Sequence, residues 1–358
     1  MPLPARLRLL ALALTATAAC QATPPAAAPP QPDYRPQAAA AMTVLASLYT
    51  APLGLFGVTW WQSANAVETT VDYARLTGDR QFQTLWTTTF DVHSAISTQF
   101  LNDFHDDEGW WALAWLKAYD LTGEVRYLAM ARTIFDDITP DWDDQCGGGV
   151  YWTKAKSYKN AITNELFLTL AARLHARTRV GGATTPYLTW ATRTWTWLKA
   201  SGMRNSDKLW NDGLDACKNN GQTTWTYNQG VLLGGLVELA QITGDPTYLA
   251  EATATADAAV AKLVDAQGVL REACEPDCNS DGALFKGIFM RNLAALDAAL
   301  GDHRYRAFLY HTADAIQAHG TDAAGNIGLV WSGPFDASDS IRQSAGLDAV
   351  NAALWAAQ

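Results

Sequence analysis

The segment Asn102-Asp103-Phe104-His105-Asp106-Asp107-Glu108-Gly109-Trp110-Trp111 places four acids within six residues, directly before two tryptophans. Two carboxyls side by side can divide the work of breaking one bond: one protonates a leaving oxygen, while the other attacks carbon or activates water. For a glycosidic bond, retention of configuration needs the two carboxyls about 5 to 5.5 Å apart, and inversion needs roughly 6.5 to 9.5 Å. Neighbouring residues at a helix start reach the shorter separation. Mutual repulsion and burial against tryptophan would raise one pKa of Asp106 and Asp107, so that one carboxyl stays protonated near neutral pH. The spacing leaves open which one. Acids at a helix start also cap free N–H groups and suit the helix dipole, and any one of the four fits that simpler role. The Gly-Trp-Trp cluster favours chemistry, because tryptophan faces stack on sugar rings. His105 offers a base, an orienting partner for Asp106, or only a solvent-facing side chain.

A repeated turn positions this segment. Leu76-Thr77-Gly78-Asp79, Leu121-Thr122-Gly123-Glu124, Ile242-Thr243-Gly244-Asp245 and Leu300-Gly301-Asp302 each follow an apolar stretch and precede an aromatic and an Ala-rich amphipathic one. Glycine ends one helix in the left-handed conformation, and the acid favours the start of the next. The stretches before the turns (60–76, 109–121, 161–174, 227–242, 287–300 and 344–357) are apolar nearly all round, which predicts buried inner helices. Those after the turns, such as 125–138 and 246–263, carry one apolar stripe and read as outer helices. Six inner and about six outer helices predict an all-α fold, an (α/α)6 barrel, with no period-two stretch long enough for a sheet core. The Thr-Gly turns are too short to build a site. Long Gly- and Trp-rich loops enter the inner helices at the other end, where helix N-termini present free N–H groups. The cleft candidates are therefore Trp60, Trp61, Gln62, Trp110, Trp111, Tyr151, Trp152, Asn164, Glu165, Tyr227 and Gln229. For the aromatics, core packing is an equal alternative. Asn164 and Gln229 are the stronger polar candidates, since buried amides need partners and sugar hydroxyls supply them; Glu165 could cap or pair internally.

Residues 1–19 read as an export signal, with Arg6 and Arg8 before the apolar stretch Leu9 to Ala16. Small residues before Cys20 resemble a lipoprotein signal, which would place a lipid on Cys20, the one membrane attachment expected; Ala16-Thr17-Ala18 suits ordinary secretion. The Pro- and Ala-rich residues 20–36 read as an extended tether, and 37–358 as the catalytic domain. Removing the leader leaves 24 basic residues against 36 acidic ones and changes the net charge from −10 to −12. With no basic run, nucleic acid is excluded as a partner, whereas a neutral polysaccharide is compatible. Beyond Cys20 stand Cys146, Cys217, Cys274 and Cys278, an even number that suits two disulfides in an oxidising compartment. Three pairings exist. Cys274 with Cys278 and Cys146 with Cys217 is preferred, because Cys274 and Cys278 share one short polar loop. No histidine lies near them, so a metal site is not expected.

Asp106-Asp107-Glu108-Gly109-Trp110-Trp111-Ala112-Leu113-Ala114-Trp115 resembles the active-site segment of glycoside hydrolase family 76, the endo-α-1,6-mannanases. Cys146-Gly147-Gly148-Gly149-Val150-Tyr151-Trp152, Lys159-Asn160-Ala161-Ile162-Thr163-Asn164-Glu165-Leu166 and Trp225-Thr226-Tyr227-Asn228-Gln229-Gly230 are further similar segments, in family order. The resemblance runs from about Trp60 to the end. It implies the (α/α)6 barrel, retaining chemistry without metal or cofactor, Asp106 as nucleophile and Asp107 as acid/base, and α-1,6-mannan or manno-oligosaccharides as the partner of a monomer. Transglycosylation, associated with fungal members, and non-catalytic capture of surface mannan are the alternatives. The bacterial-type signal and the lack of a C-terminal anchor sequence favour hydrolysis. Sugar epimerases share the toroid but rely on histidine bases, and six scattered histidines do not suit them.

Overall fold

A computed structural model describes residues 32–179, 181 and 185–358; the leader, Cys20 and the tether to residue 31 lie outside them. Twelve α-helices are found among the described residues: α1 Arg35–Ser47, α2 Trp61–Thr77, α3 Gln83–Ser94, α4 His105–Thr122, α5 Val125–Ile138, α6 Ala161–Thr178, α7 Pro186–Ala200, α8 Thr226–Thr243, α9 Thr247–Lys262, α10 Phe285–Leu300, α11 Arg306–Ala315 and α12 Ser340–Ala356. The even-numbered helices each pack on the next around a ring that closes where α12 meets α2, and the odd-numbered ones wrap outside. This is the expected (α/α)6 barrel. Burial follows the division: α6 is buried without a break from Ala161 to His175. By contrast, α5 buries only Tyr127, Met130, Ala131, Ile134, Phe135 and Ile138, a stripe at helical spacing. Inner helices approach closely at Gly287, where a Cβ would lie 2.6 Å from the Cα of Ala345.

The repeated turn works as its residues suggest. Gly78, Gly123, Gly244 and Gly301 all have φ between 72 and 78°, a region that glycine enters without steric cost. In three of the turns the threonine hydroxyl donates 2.7 Å back to a carbonyl one turn earlier, and accepts the N–H of Asp79, Glu124 or Asp245 at 3.1 to 3.2 Å. The helix C-terminus is thereby capped with no loop to spare, leaving this end of the barrel closed to site-building segments.

Three differences from the sequence reading have physical causes. The tether ends earlier than residue 36: Tyr34 is buried with its hydroxyl on Asp314 at 3.1 Å, and Arg35 and Pro36 open α1. Proline suits the first helical turn, where its missing N–H has no partner to lose. Helix α4 begins at His105 and not at Gly109. The His105 N–H donates to the Trp152 carbonyl at 2.9 Å, and the Glu108 carboxylate reaches back to the Asn102 N–H at 2.9 Å. These bonds satisfy free donors and start the helix four residues sooner, so Asp106 and Asp107 stand in its first turn.

Nor are the inner helices apolar all round. Along the axis, Glu68 on α2 lies 2.9 Å from Lys117 on α4 and 2.8 Å from Arg291 on α10, and Arg291 lies 2.8 Å from Asp348 on α12. Burial pushes the Glu68 carboxyl up, yet Arg291, Lys117 and Arg173 outweigh it and hold it below the ordinary value. Paired charges from α2, α4, α10 and α12 thus meet inside the ring.

The disulfides are Cys146–Cys217 and Cys274–Cys278, the preferred pairing. The first joins the loop before α6 to the loop before α8; the second closes a short loop before α10.

Candidate active site

Loops and inner-helix N-termini surround a cleft of about 520 Å³. Its aromatic floor steps around the ring: Trp61 of α2 stacks on Trp110 of α4 at 5.7 Å, Trp110 on Tyr227 of α8 at 6.4 Å, and Tyr227 on Phe285 of α10 at 3.7 Å. Four aspartates line it, Asp106, Asp107, Asp212 and Asp281, and among the described residues neither lysine nor arginine does.

Asp106 and Asp107 sit together in the first turn of α4, where free backbone N–H groups and the helix dipole favour negative charge. The indole Nε1–H of Trp152 donates to Oδ2 of Asp106 at 3.0 Å, and Oδ1 of Asp106 is buried with no hydrogen-bond partner. The Asn102 amide donates to Oδ2 of Asp107 at 2.7 Å. Burial and then the like charge of Asp107 push the Asp106 carboxyl up to about 8, against the pull of Trp152 and first-turn amides. Burial pushes Asp107 up to about 6, with Asp281 and Glu108 adding to it and Asn102 opposing. Two such close carboxyls titrate as one system, so these values belong to the pair, which holds a single proton around neutral pH. Taken residue by residue, the order would put that proton on Asp106, the reverse of the roles that the resemblance implies.

Several cleft residues were not among the sequence candidates. Asp281 follows the Cys274–Cys278 loop, and its Oδ1 accepts from Trp61 Nε1 at 3.2 Å and Gln62 Nε2 at 2.8 Å. Asp212 accepts from the Tyr158 hydroxyl at 2.5 Å, and Tyr158 in turn accepts from Asn220 at 2.9 Å. Phe104 and Asn160 complete the wall. No local signal marks Asp212 or Asp281, because they reach the cleft through loop paths that no periodic pattern encodes. Asn102, adjacent to the acid cluster and bonded within it, and Phe104 and Asn160, within motif segments, were open to inference.

Of the sequence candidates, Trp61, Trp110, Trp152 and Tyr227 line the cleft with the aspartate pair. The Tyr227 phenol stays neutral, raised well above its ordinary value by burial and then by Asp212, Asp106, Glu165 and Glu272. Gln62 belongs to the site indirectly, as a holder of Asp281. The others are corrections. Trp111 is fully buried, and Trp60 packs against it at 5.0 Å beside Phe100 and His93, so both serve the core. Tyr151 donates to Asp143 at 3.0 Å under the Lys159 ammonium. Asn164 and Gln229 do have partners, but these are backbone. Asn164 holds both the N–H and the carbonyl of Val150, at 2.7 and 2.9 Å. Gln229 does the same for Trp210, at 2.8 and 3.0 Å. Each amide clamps a cleft loop to its inner helix and has no group left for a sugar. Glu165 is wholly buried, neither oxygen makes a hydrogen bond, and burial followed by Asp212 raises its carboxyl well above the ordinary value. It does not line the cleft.

His105 does not act as a base towards the pair. Its ring lies between Glu108, 3.3 Å from Nδ1, and Asp141, 2.8 Å from Nε2. His105, Glu108 and Asp137 form the one group of metal-ligating side chains found among the described residues. Lys154 already lies 2.9 Å from Glu108 and 2.8 Å from Asp137, which places a cation between the two acids. The donor set fits an internal ion pair better than a metal ion.

The sequence pattern described as Glycosyl hydrolase family 76 matches residues 36–358. The chain belongs to glycosyl hydrolase family 76. Among curated relatives, Mannan endo-1,6-alpha-mannosidase DFG5 of Candida albicans is 29% identical over 216 residues, 55% of this chain and 47% of that protein. Mannan endo-1,6-alpha-mannosidase DCW1 of the same organism is 26% identical over 275 residues, 68% of this chain and 60% of that protein. The family 76 chain thus spans about half to three fifths of these two relatives. Among solved structures, the α-1,6-mannanase of Salegentibacter sp. shares the fold at a TM-score of 0.81 and 24% identity, over 90% of this chain and 99% of that one. A Listeria innocua protein matches at a TM-score of 0.78 and 25% identity, over 90% of this chain and 97% of that one.

Proposed function

We propose that this family 76 chain is a retaining glycoside hydrolase that cuts α-1,6-mannosidic bonds within mannan through Asp106 and Asp107. The observation that carries the reading is the pair itself: two adjacent carboxyls in the first turn of α4, half-buried in an aromatic-floored cleft and both pushed above their ordinary values by burial. The curated relatives bear the name mannan endo-1,6-alpha-mannosidase. The Salegentibacter α-1,6-mannanase, in a variant inactivated at two aspartates, holds α-1,6-mannotriose. A cleft lined by four aspartates without a basic residue repels polyanions and suits a neutral polymer.

In the proposed reaction, one carboxylate oxygen of Asp106 forms a bond to the anomeric carbon while the glycosidic C–O bond breaks and Asp107 gives its proton to the departing oxygen. Water then enters, loses a proton to Asp107, and displaces Asp106, so the mannose leaves with its α configuration. The stacked aromatics Trp61, Trp110 and Tyr227 hold sugar rings, and the Tyr227 hydroxyl is a neutral donor towards them. Residues 1–19 act as a leader and 20–33 as a tether, with export by lipid attachment at Cys20 or by secretion. The two disulfides support an oxidising destination.

The test is product analysis by NMR of linear α-1,6-mannan incubated with the protein from Asp33 onward, beside Asp106→Ala. Short manno-oligosaccharides that are α at the earliest times, from the first sample alone, are expected. Initial β products would replace retention by inversion, and no products on linear or branched mannan would overturn the activity.

A further inference from the structure

Trp152 is more exposed than the other tryptophans of the site, at 37%, yet its loop is stitched to the catalytic turn. Its carbonyl accepts the His105 N–H, its own N–H donates to the Tyr158 carbonyl at 2.7 Å, and the next loop residue but one, Lys154, donates its N–H to the Asp103 carbonyl at 3.0 Å. Asn164 fixes Val150 just before it. The indole is thus carried on backbone that moves with α4, with its edge against Phe104 at 5.2 Å. An indole N–H only donates, so Oδ2 of Asp106, 3.0 Å away, is the acceptor of this bond.

The two carboxyls of the pair have different donors. Asp106 has one oxygen held by Trp152 and one, Oδ1, buried and bare. Asp107 accepts at Oδ2 from Asn102, whose amide orientation is set because its own oxygen accepts the Phe104 N–H at 2.8 Å; a proton on Asp107 is therefore left to Oδ1. A desolvated, unsolicited carboxylate oxygen is what a nucleophile requires, and a hydrogen bond on its partner oxygen keeps charge there without blocking attack.

We propose that Trp152 is a positioning residue for the nucleophile: its indole N–H pins Oδ2 of Asp106, keeps the negative charge of the pair on that residue and leaves Oδ1 aimed at the anomeric carbon, while its exposed ring separately stacks on sugar at the cleft rim. The proposal rests on the mannanase reading. The ring and the N–H are separable: Trp152→Phe keeps an aromatic face and removes the donor, whereas Trp152→Ala removes both.

With linear α-1,6-mannan, Trp152→Phe is expected to lower kcat by about ten- to a hundredfold, the range for losing one hydrogen bond to a charged group, with KM changed less than about twofold. The acidic limb of kcat/KM should move up by about one pH unit, because the charged form of Asp106 loses its donor. Trp152→Ala should raise KM as well. A purely structural tryptophan would lower activity without moving the limb, and a wild-type kcat and limb in Trp152→Phe would overturn the proposal. If the wild-type protein cleaves no mannan, the activity reading fails by itself, and the proposal is still tested by carbon NMR of labelled aspartate carboxyls. The resonance lost in Asp106→Asn identifies Asp106. Its midpoint should rise by about one unit in Trp152→Phe; an unmoved midpoint refutes the role.

Discussion

Titrating the Asp106–Asp107 pair probes the chemistry most directly. With its carboxyls pushed up to about 8 and about 6, the pair gives up its first proton near pH 6 and its second near pH 8. Only the singly protonated form contains both a nucleophile and an acid. A two-step titration leaves about 80% of molecules in that form at pH 7 and roughly 9% at pH 5 or 9. The kcat/KM profile for linear α-1,6-mannan, which reports the free enzyme, should therefore be a bell centred near neutrality, about ninefold lower at each of those extremes. Asp281 sharpens the test, because its carboxylate contributes to raising Asp107. Asp281→Asn removes a neighbouring negative charge and eases both ionisations, so both limbs should move to lower pH. The assay is initial rate against pH at constant ionic strength and at mannan concentrations well below KM. A profile flat from pH 5 to 9, or limbs that move upward in Asp281→Asn, would refute the shared-proton argument.

Glu165 should impose a pH dependence on stability. Its folded pKa is raised, so its contribution is fully present below the unfolded value of about 4.3 and is lost as pH rises towards the folded value, by about 1.4 kcal/mol per pH unit. Glu165→Gln abolishes this slope, and thermal melts from pH 5 to 8 should show the variant gaining on wild type as pH rises; a constant difference would contradict it. Arg291→Met leaves Asp348 buried without its cation and Glu68 with Lys117 and Arg173 alone, and should cost about 3 to 5 kcal/mol in urea unfolding. Asn164→Ala leaves the buried N–H and carbonyl of Val150 unpaired, at about 1 to 3 kcal/mol each, and should also lower kcat by loosening the loop of Trp152. Unchanged unfolding midpoints would count against either role.

The ring of helices was legible because its rules are local. A threonine, a glycine in the left-handed region and an acid stop one helix and start the next wherever they occur, and burial on all sides shows in composition. The acid pair was legible for the same reason, since adjacency along the chain sets adjacency in space. The division of labour among the other polar groups was not. Asn164 and Gln229 were right as buried amides in need of partners, but whether a sugar or a loop backbone supplies them depends on how each loop returns over the helix. Trp110 and Trp111 are neighbours with opposite fates, cleft and core, because a step of one residue turns a helix by about 100° and the rotation of α4 is set by α2, α5 and α6 packed against it. Asp212 and Asp281 enter the cleft from loops more than a hundred residues beyond Asp107. Glu68, Arg291 and Asp348 meet only because the ring closes. Local chemistry determined the helices, the turns and the aspartate pair; the contacts that tune the pair, hold its loops and fill the axis arise only when residues distant in sequence are packed into one ring.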